Sequence, residues 1–281
     1  MDREFVLAIL GIVLTGVTLQ LGVLWPPAVF VIATSSHHSE HRCWWRVWMP
    51  LAPMVIVLCA LAGWAALEPD NSEVVPRSLL LLSLPCAFVW TRAIWRAVNA
   101  LRRRPVVRAA GVIGLWHPRI VMSDQFRARV DDLTAAAATA HEAAHARHRD
   151  PLRLWLAQFA TDLQWPSARA AERLHAWMCV VEFARDDEAR HGGVEGADLA
   201  AAIIAAVRLS DTDRLAPALV GDRADFETRI RRLLAPMPSD EGVPSSAFRL
   251  VMAAAPALVA IALAGARFGE SLVRTVFSAL P

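Results

Sequence analysis

The chain has 281 residues, of which 56% are apolar and 20% charged, and its mean hydropathy is +0.37. Soluble domains carry about 45–50% apolar and about 25% charged residues, so neither a wholly soluble protein nor a bare bundle of membrane spans is expected. The net charge of +2 gives no basis for nucleic-acid binding.

Two residue types are missing. All 29 positive side chains are arginine, and there is no tyrosine. Lysine Schiff bases, a phosphate-loop lysine and tyrosine acids or nucleophiles are therefore excluded. The four cysteines, Cys43, Cys59, Cys86 and Cys179, form no C-x-x-C pair, which argues against a cysteine zinc site or a disulfide framework.

Residues 5–25 are uncharged and long enough for a membrane helix, which takes about 20 residues. Pro26-Pro27 interrupts the run, and apolar residues continue beyond it, giving a first span over about 5–33. No basic segment precedes the run, so it reads as an anchor and not as a signal peptide. A second span is predicted over 47–67 and a third over 78–98, with Arg92 and Arg96 snorkelling at its end. A fourth is predicted over about 248–267, followed by a short tail. The connection at 68–77 is mainly acidic, whereas Arg92 and Arg96 at the end of the third span and Arg102, Arg103, Arg104 and Arg108 after it come without an acid. Positive residues favour the cytoplasmic side, so the middle domain is expected inside and both termini outside. Residues 37–46 then form an inner connection whose His37, His38 and His41 are either solvated, the favoured reading, or a metal-binding cluster, and Trp44, Trp45 and Trp48 form an interfacial belt. The regions are thus 1–104 in the membrane, 105–246 as a cytoplasmic domain, and 247–281 returning to the membrane.

Within the domain, 106–110 and 119–122 read as a small hairpin around Gly111 and Gly114. Residues 133–149 are alanine-rich and helical, with Asp131 or Asp132 near the start. Asp150-Pro151 reads as an N-cap and first-turn proline, opening a helix whose apolar face packs on its neighbour or meets the membrane surface. A long helix over 167–191 closes at Gly192-Gly193. Two shorter helices follow at 198–209 and 225–234, and a proline-rich linker over 235–246 leads back to the membrane.

The strongest motif is His141-Glu142-Ala143-Ala144-His145. Two histidines four apart share one helix face and reach one zinc ion. Glu142 beside them can take a proton from zinc-bound water. A hydrolytic zinc needs a third protein ligand. The spaced three-histidine pattern would need glycine at 148 and histidine at 151, but His148 and Pro151 stand there. A downstream glutamate is therefore expected, and Glu172, Glu182 and Glu188 are candidates. Only Glu182 has an acid four residues on, Asp186. That carboxylate suits the far nitrogen of a ligating histidine. Without tyrosine, the oxyanion must be met by histidine, arginine, tryptophan N–H or the metal. His191 is the candidate histidine. His148 lines the cleft or stays exposed, and Asp150 caps a helix or supports the site. His117 and His175 read as structural. The edge of the strand at 119–122 is a place where substrate could add as an extended chain.

Gly114-Leu-Trp-His-Pro-Arg-Ile-Val-Met-Ser, the His-Glu-x-x-His helix ending in Arg149-Asp150, Glu182-x-x-x-Asp186 and Phe226-Glu-Thr-Arg-Ile-Arg-Arg-Leu-Leu together resemble the BlaR/MecR family of integral-membrane zinc metallopeptidases. The resemblance covers nearly the whole chain and includes the order of spans and motifs. It implies a mainly α membrane protein: four transmembrane helices, with a cytoplasmic gluzincin-like α+β peptidase domain between the third and fourth. It implies one zinc ion on His141, His145 and Glu182, with Glu142 as the base and Asp186 behind the ligands. A bacterial inner-membrane location is implied, with a protein substrate such as a transcriptional repressor, no direct nucleic-acid contact, and room for a homodimer. Sensing members carry an external penicillin-binding domain after the fourth span. Only a short tail stands there in this sequence, so the signal is expected through the spans, the external connection or a partner. Two other readings remain: a membrane quality-control protease of the HtpX type, which places the domain after two spans, and a signal-coupling protein whose zinc helix never cleaves.

Overall fold

The computed structural model describes residues 3–20, 36–67, 77–103, 106–211 and 223–237, with isolated positions between 260 and 275. The described chain is mostly helical, with one small sheet. The N-terminal region contains α1 (Arg3–Gln20), α2 (Ser36–Trp48), a 3-10 turn (Met49–Leu51), α3 (Ala52–Leu67) and α4 (Arg77–Arg102). Among the described residues, two stretches are long and apolar enough to cross a membrane: Ser36–Gly63, which runs through α2 into α3, and Arg77–Arg102. The apolar helix Val6–Gln20 is shorter. The rest of the expected first span and, apart from isolated helical positions at 260, 261 and 264, the fourth lie outside the described residues. Helix α1 packs against α3 and α4. It crosses α4 so closely at Gly16 that a β-carbon there would overlap the side chain of Cys86.

The third expected span is a continuous helix despite Pro85 inside it. Arg92 and Arg96 do not simply snorkel at its end. Their guanidiniums reach Asp162 at 3.4 and 3.1 Å, and Arg92 also lies over the Trp165 ring.

The following region opens with the antiparallel strands β1 (Ala110–Ile113) and β2 (Arg119–Met122), in the register Ala110 with Met122. The first strand therefore includes Gly111 and starts later than the β-branched residues 106–107 suggested. A short helix α5 (Asp124–Arg127) follows, capped by the Ser123 hydroxyl, which accepts from Phe126 N–H. Helix α6 (Asp132–Arg147) carries the His-Glu-x-x-His residues, and Asp131 caps it by accepting from Thr134 N–H at 2.7 Å. Helices α7 (Asp150–Asp162), α8 (Ala168–His191), α9 (Gly196–Asp211) and α10 (Arg223–Leu234) complete the described chain. α8 ends in a Schellman motif: Gly193 adopts φ +92°, Val194 N–H reaches the Ala189 carbonyl, and Gly193 N–H reaches that of Arg190.

The two regions share a core. One apolar cluster joins Leu19, Val47, Leu51, Met54 and Ala93 to Ala157, Ala160, Leu163, Leu174, Trp177 and Val181. This corrects the reading of residues 37–46. They do not form a solvated connection; they are helix α2, laid along α8. Its polar sequence hid this, because three of its four buried members, Ser36, Ser39 and Glu40, are polar, and Ser36 and Glu40 are matched to polar partners on α7 and α8. Trp44 turns inward. Its ring lies 5.1 Å from that of buried Trp177, and the Arg153 guanidinium sits over both.

Candidate metal centre

Helical periodicity places His141 and His145 one turn apart on α6. Their rings meet edge to face, and the two Nε2 atoms are 3.0 Å apart. Facing them across the α6–α8 contact is Glu182. Its Oε2 lies 3.5 Å from His141 Nε2, and its Oε1 lies 3.6 Å from His145 Nε2. Among the described residues, these three form a group whose ligand atoms all lie within 4.8 Å of one another. Two neutral imidazoles and one carboxylate are a donor set suited to zinc.

Carboxylates stand behind both histidines. His145 Nδ1 lies 2.8 Å from Asp150 Oδ2, in hydrogen-bond geometry. His141 Nδ1 lies 2.9 Å from Asp186 Oδ1, close but poorly aligned for a hydrogen bond. Both contacts leave the Nε2 atoms facing Glu182, the arrangement a metal-binding histidine needs. This donor chemistry fits one zinc ion on His141, His145 and Glu182.

Asp150 reaches His145 because the chain reverses sharply between α6 and α7. Arg149 takes a left-handed conformation (φ +52°), uncommon for a residue with a β-carbon. Asp150 becomes the first residue of α7, not its N-cap. Its side chain turns back to His145, Arg185 and Arg153. The supporting role is therefore the one its geometry serves.

The third ligand is sorted by position. Glu172 is exposed on the first turns of α8. Glu188 is drawn away by Arg147 and His148, at 2.8 and 2.9 Å. Glu182 alone of the three candidates faces both histidines. His148 is thus an exposed partner of Glu188, not a lining of the centre. His191 is not brought to the centre either. It lies nine residues beyond Glu182 on the same helix, a rise of roughly 13 Å, and its Nδ1–H donates to the Asp187 carbonyl.

The centre includes a residue that the motif search missed. Arg229, on α10, places Nη1 2.7 Å from Glu182 Oε2 and donates from Nε and Nη2 to Asp186 at 2.7 and 2.9 Å. Its Nη2 is also 3.3 Å from His141 Nε2. The Arg-Ile segment of α10 was the only signal for it, and no spacing rule ties it to a helix so far back in the chain.

The electrostatics follow from this packing. Burial opposes charge on His141, but Asp186 and Glu182 outweigh it and hold its pKa up at about 9. Burial would raise Glu182, yet Arg229 and the two histidines hold its carboxyl well below the usual range. Burial likewise opposes the charge on Asp186, and Arg229 and His141 bring its pKa down. Glu142 differs. Burial pushes its pKa up, and the charges of His141 and His145 only partly offset that. A raised carboxylate pKa suits a group that must take a proton and give it back.

A second layer of charge lies behind Asp150. Arg185 is fully buried and donates to Asp150 Oδ1 at 2.9 Å and to Glu40 Oε1 at 3.0 Å. Burial would raise Asp150, but His145 and Arg185 hold its carboxyl well below the usual carboxylate range. Removing one partner of so buried a set costs about 3–5 kcal/mol, because an uncompensated charge is left inside. No protein-family model, curated protein or solved structure matches this chain.

Proposed function

We propose that this chain is an integral-membrane zinc endopeptidase of the BlaR/MecR type, which cleaves a protein substrate at the cytoplasmic face in regulated proteolysis. The observation that carries this reading is the meeting of His141, His145 and Glu182 from two helices, with Glu142 beside them and a carboxylate behind each histidine. The two long apolar helices and the core they share with the α7–α8 region support a site held against a membrane. The four-span topology, with the domain inside and the termini outside, rests on the arginine distribution and belongs to the same proposal.

Zinc at this site would polarise the scissile carbonyl and lower the pKa of a water. Glu142 takes the proton from that water and returns it to the departing amine. Asp150 holds His145 in the tautomer that presents Nε2, and the Asp186 carboxylate beside His141 Nδ1 favours the same tautomer there. Arg229 fixes Glu182 and Asp186 and balances their charge. With no tyrosine, and with His191 far along α8, a metal held by His141, His145 and Glu182 would be the main group to meet the developing negative charge.

The test is peptide cleavage by the full chain in lipid nanodiscs, wild type against Glu142→Gln. Positioned proton transfer contributes about 100- to 10,000-fold. Glu142→Gln should lose activity on that scale while keeping its zinc. Equal cleavage by the two proteins would sink the mechanism.

A further inference from the structure

We propose that Glu40, on the helix that runs into the first candidate membrane span, is a positioning residue of the metal site and sets its zinc affinity through Arg185 and Asp150. The inference rests on the zinc-site reading above and extends it to a helix remote in sequence from the ligands.

The path is continuous. Glu40 is 6% exposed and receives the Arg185 guanidinium on both carboxylate oxygens, at 3.0 and 3.3 Å. Arg185 is 0% exposed and grips both oxygens of Asp150 from Nε and Nη2. Asp150 Oδ2, one of the gripped oxygens, is also the atom that meets His145 Nδ1 at 2.8 Å. Arg153 Nη1 bridges the same two acids, Glu40 Oε1 and Asp150 Oδ1. Two further neighbours stand at 3.9 Å: His37 Nδ1 from Glu40 Oε2, and Glu188 Oε2 from Arg185 Nη1.

Two cations therefore share two buried acids, with Glu188, itself drawn to Arg147 and His148, at the edge of the set; of the two buried acids only Asp150 serves a ligand. With Glu40 in place, the positive charge of Arg185 and Arg153 is shared. Without it, both cations bear mainly on Asp150, inside a poorly solvated seam where charge interactions are strong. Asp150 then becomes a weaker acceptor for His145, and the imidazole presents a less basic and less firmly held Nε2 to the metal. The sign is specific: removing Glu40 weakens zinc binding, whereas removing Arg153 relieves Asp150 and does not. Simple loss of packing between α2 and α8 would weaken it in both cases.

Because α2 belongs to the stretch Ser36–Gly63, the site's support is completed from the membrane region. A shift of that helix along α8 would act on zinc affinity without touching a ligand.

The experiment is zinc affinity by chelator competition, with the absorption spectrum of the cobalt-substituted protein, on the full chain in nanodiscs. Partners behind metal ligands typically contribute about 10–100-fold in affinity. Glu40→Gln should lose that much and alter the cobalt spectrum. Glu40→Asp, which restores the charge, should recover most of it. Arg153→Met should bind zinc at least as tightly as wild type. Wild-type affinity in folded Glu40→Gln overturns the inference. If Glu40→Gln does not fold, Arg153→Met decides, and weaker zinc binding there overturns it. A wild type that binds no zinc overturns the zinc-site reading together with this one. A wild type that binds zinc and is indifferent to Glu40→Gln overturns this one alone.

Discussion

His141 sets the pH behaviour of the centre. In the metal-free protein its pKa is held up at about 9, because Asp186 and Glu182 outweigh its burial. Zinc needs the neutral imidazole, so below that value binding must expel a proton. Zinc affinity should therefore fall as pH falls, about tenfold per unit between pH 9 and pH 7, and level off above about 9. Isothermal titration in buffers of different ionisation enthalpy measures the released proton. A pH-independent affinity across that interval would mean that Asp186 does not hold His141 in its charged form. His141, His145 and Glu142 were legible in the sequence because a four-residue spacing on a helix fixes a shared face. Glu182 was legible through Asp186, one turn on. Asp150 was harder to read. Asp-Pro after a helix looks like the start of the next one, and what redirects the carboxylate is the left-handed Arg149 before it. Arg229 and Glu40 were not legible. Each meets the centre only through tertiary packing, and a polar stretch such as Ser36-His-His-Ser-Glu-His looks solvated until its partners are known.

At the scale of elements, helical periodicity and stop signals were good guides from α6 onward. The alanine-rich α6, the long α8 and its Gly192-Gly193 ending all follow from local rules. Side chains decided the rest: α2 is a helix because α8 offers Arg185 and Asp187 to its Glu40 and Ser36. The contact between α1 and α4 makes a separate prediction. At Gly16 an added β-carbon overlaps Cys86, whereas at Gly11 the nearest atom is Leu61 Cδ1 at 4.0 Å. Gly16→Val should destabilise the folded chain by about 1–3 kcal/mol, the usual cost of overpacking, and Gly11→Val much less. Thermal unfolding of the two variants in one detergent is the comparison, and equal melting temperatures would show that the helices do not meet at Gly16.

For the whole molecule, apolar runs pointed to a membrane region and a separate domain. The structure adds a core that runs through both, from Leu19 and Val47 to Trp177 and Val181. That continuity is not legible in the sequence, because each apolar run is explained equally well by lipid. The expected topology places the connection around Glu73 outside and the end of α8 inside. Reporter fusions at Glu73 and Gly192 should therefore report opposite sides of the membrane, and the same side for both would remove the proposed arrangement. Elemental analysis of the purified full chain tests the metal site itself. One zinc per chain is expected in the wild type and in Glu142→Gln, and loss of zinc in His141→Ala, His145→Ala and Glu182→Ala. A wild type without zinc, or full zinc content in His145→Ala, would rule the site out.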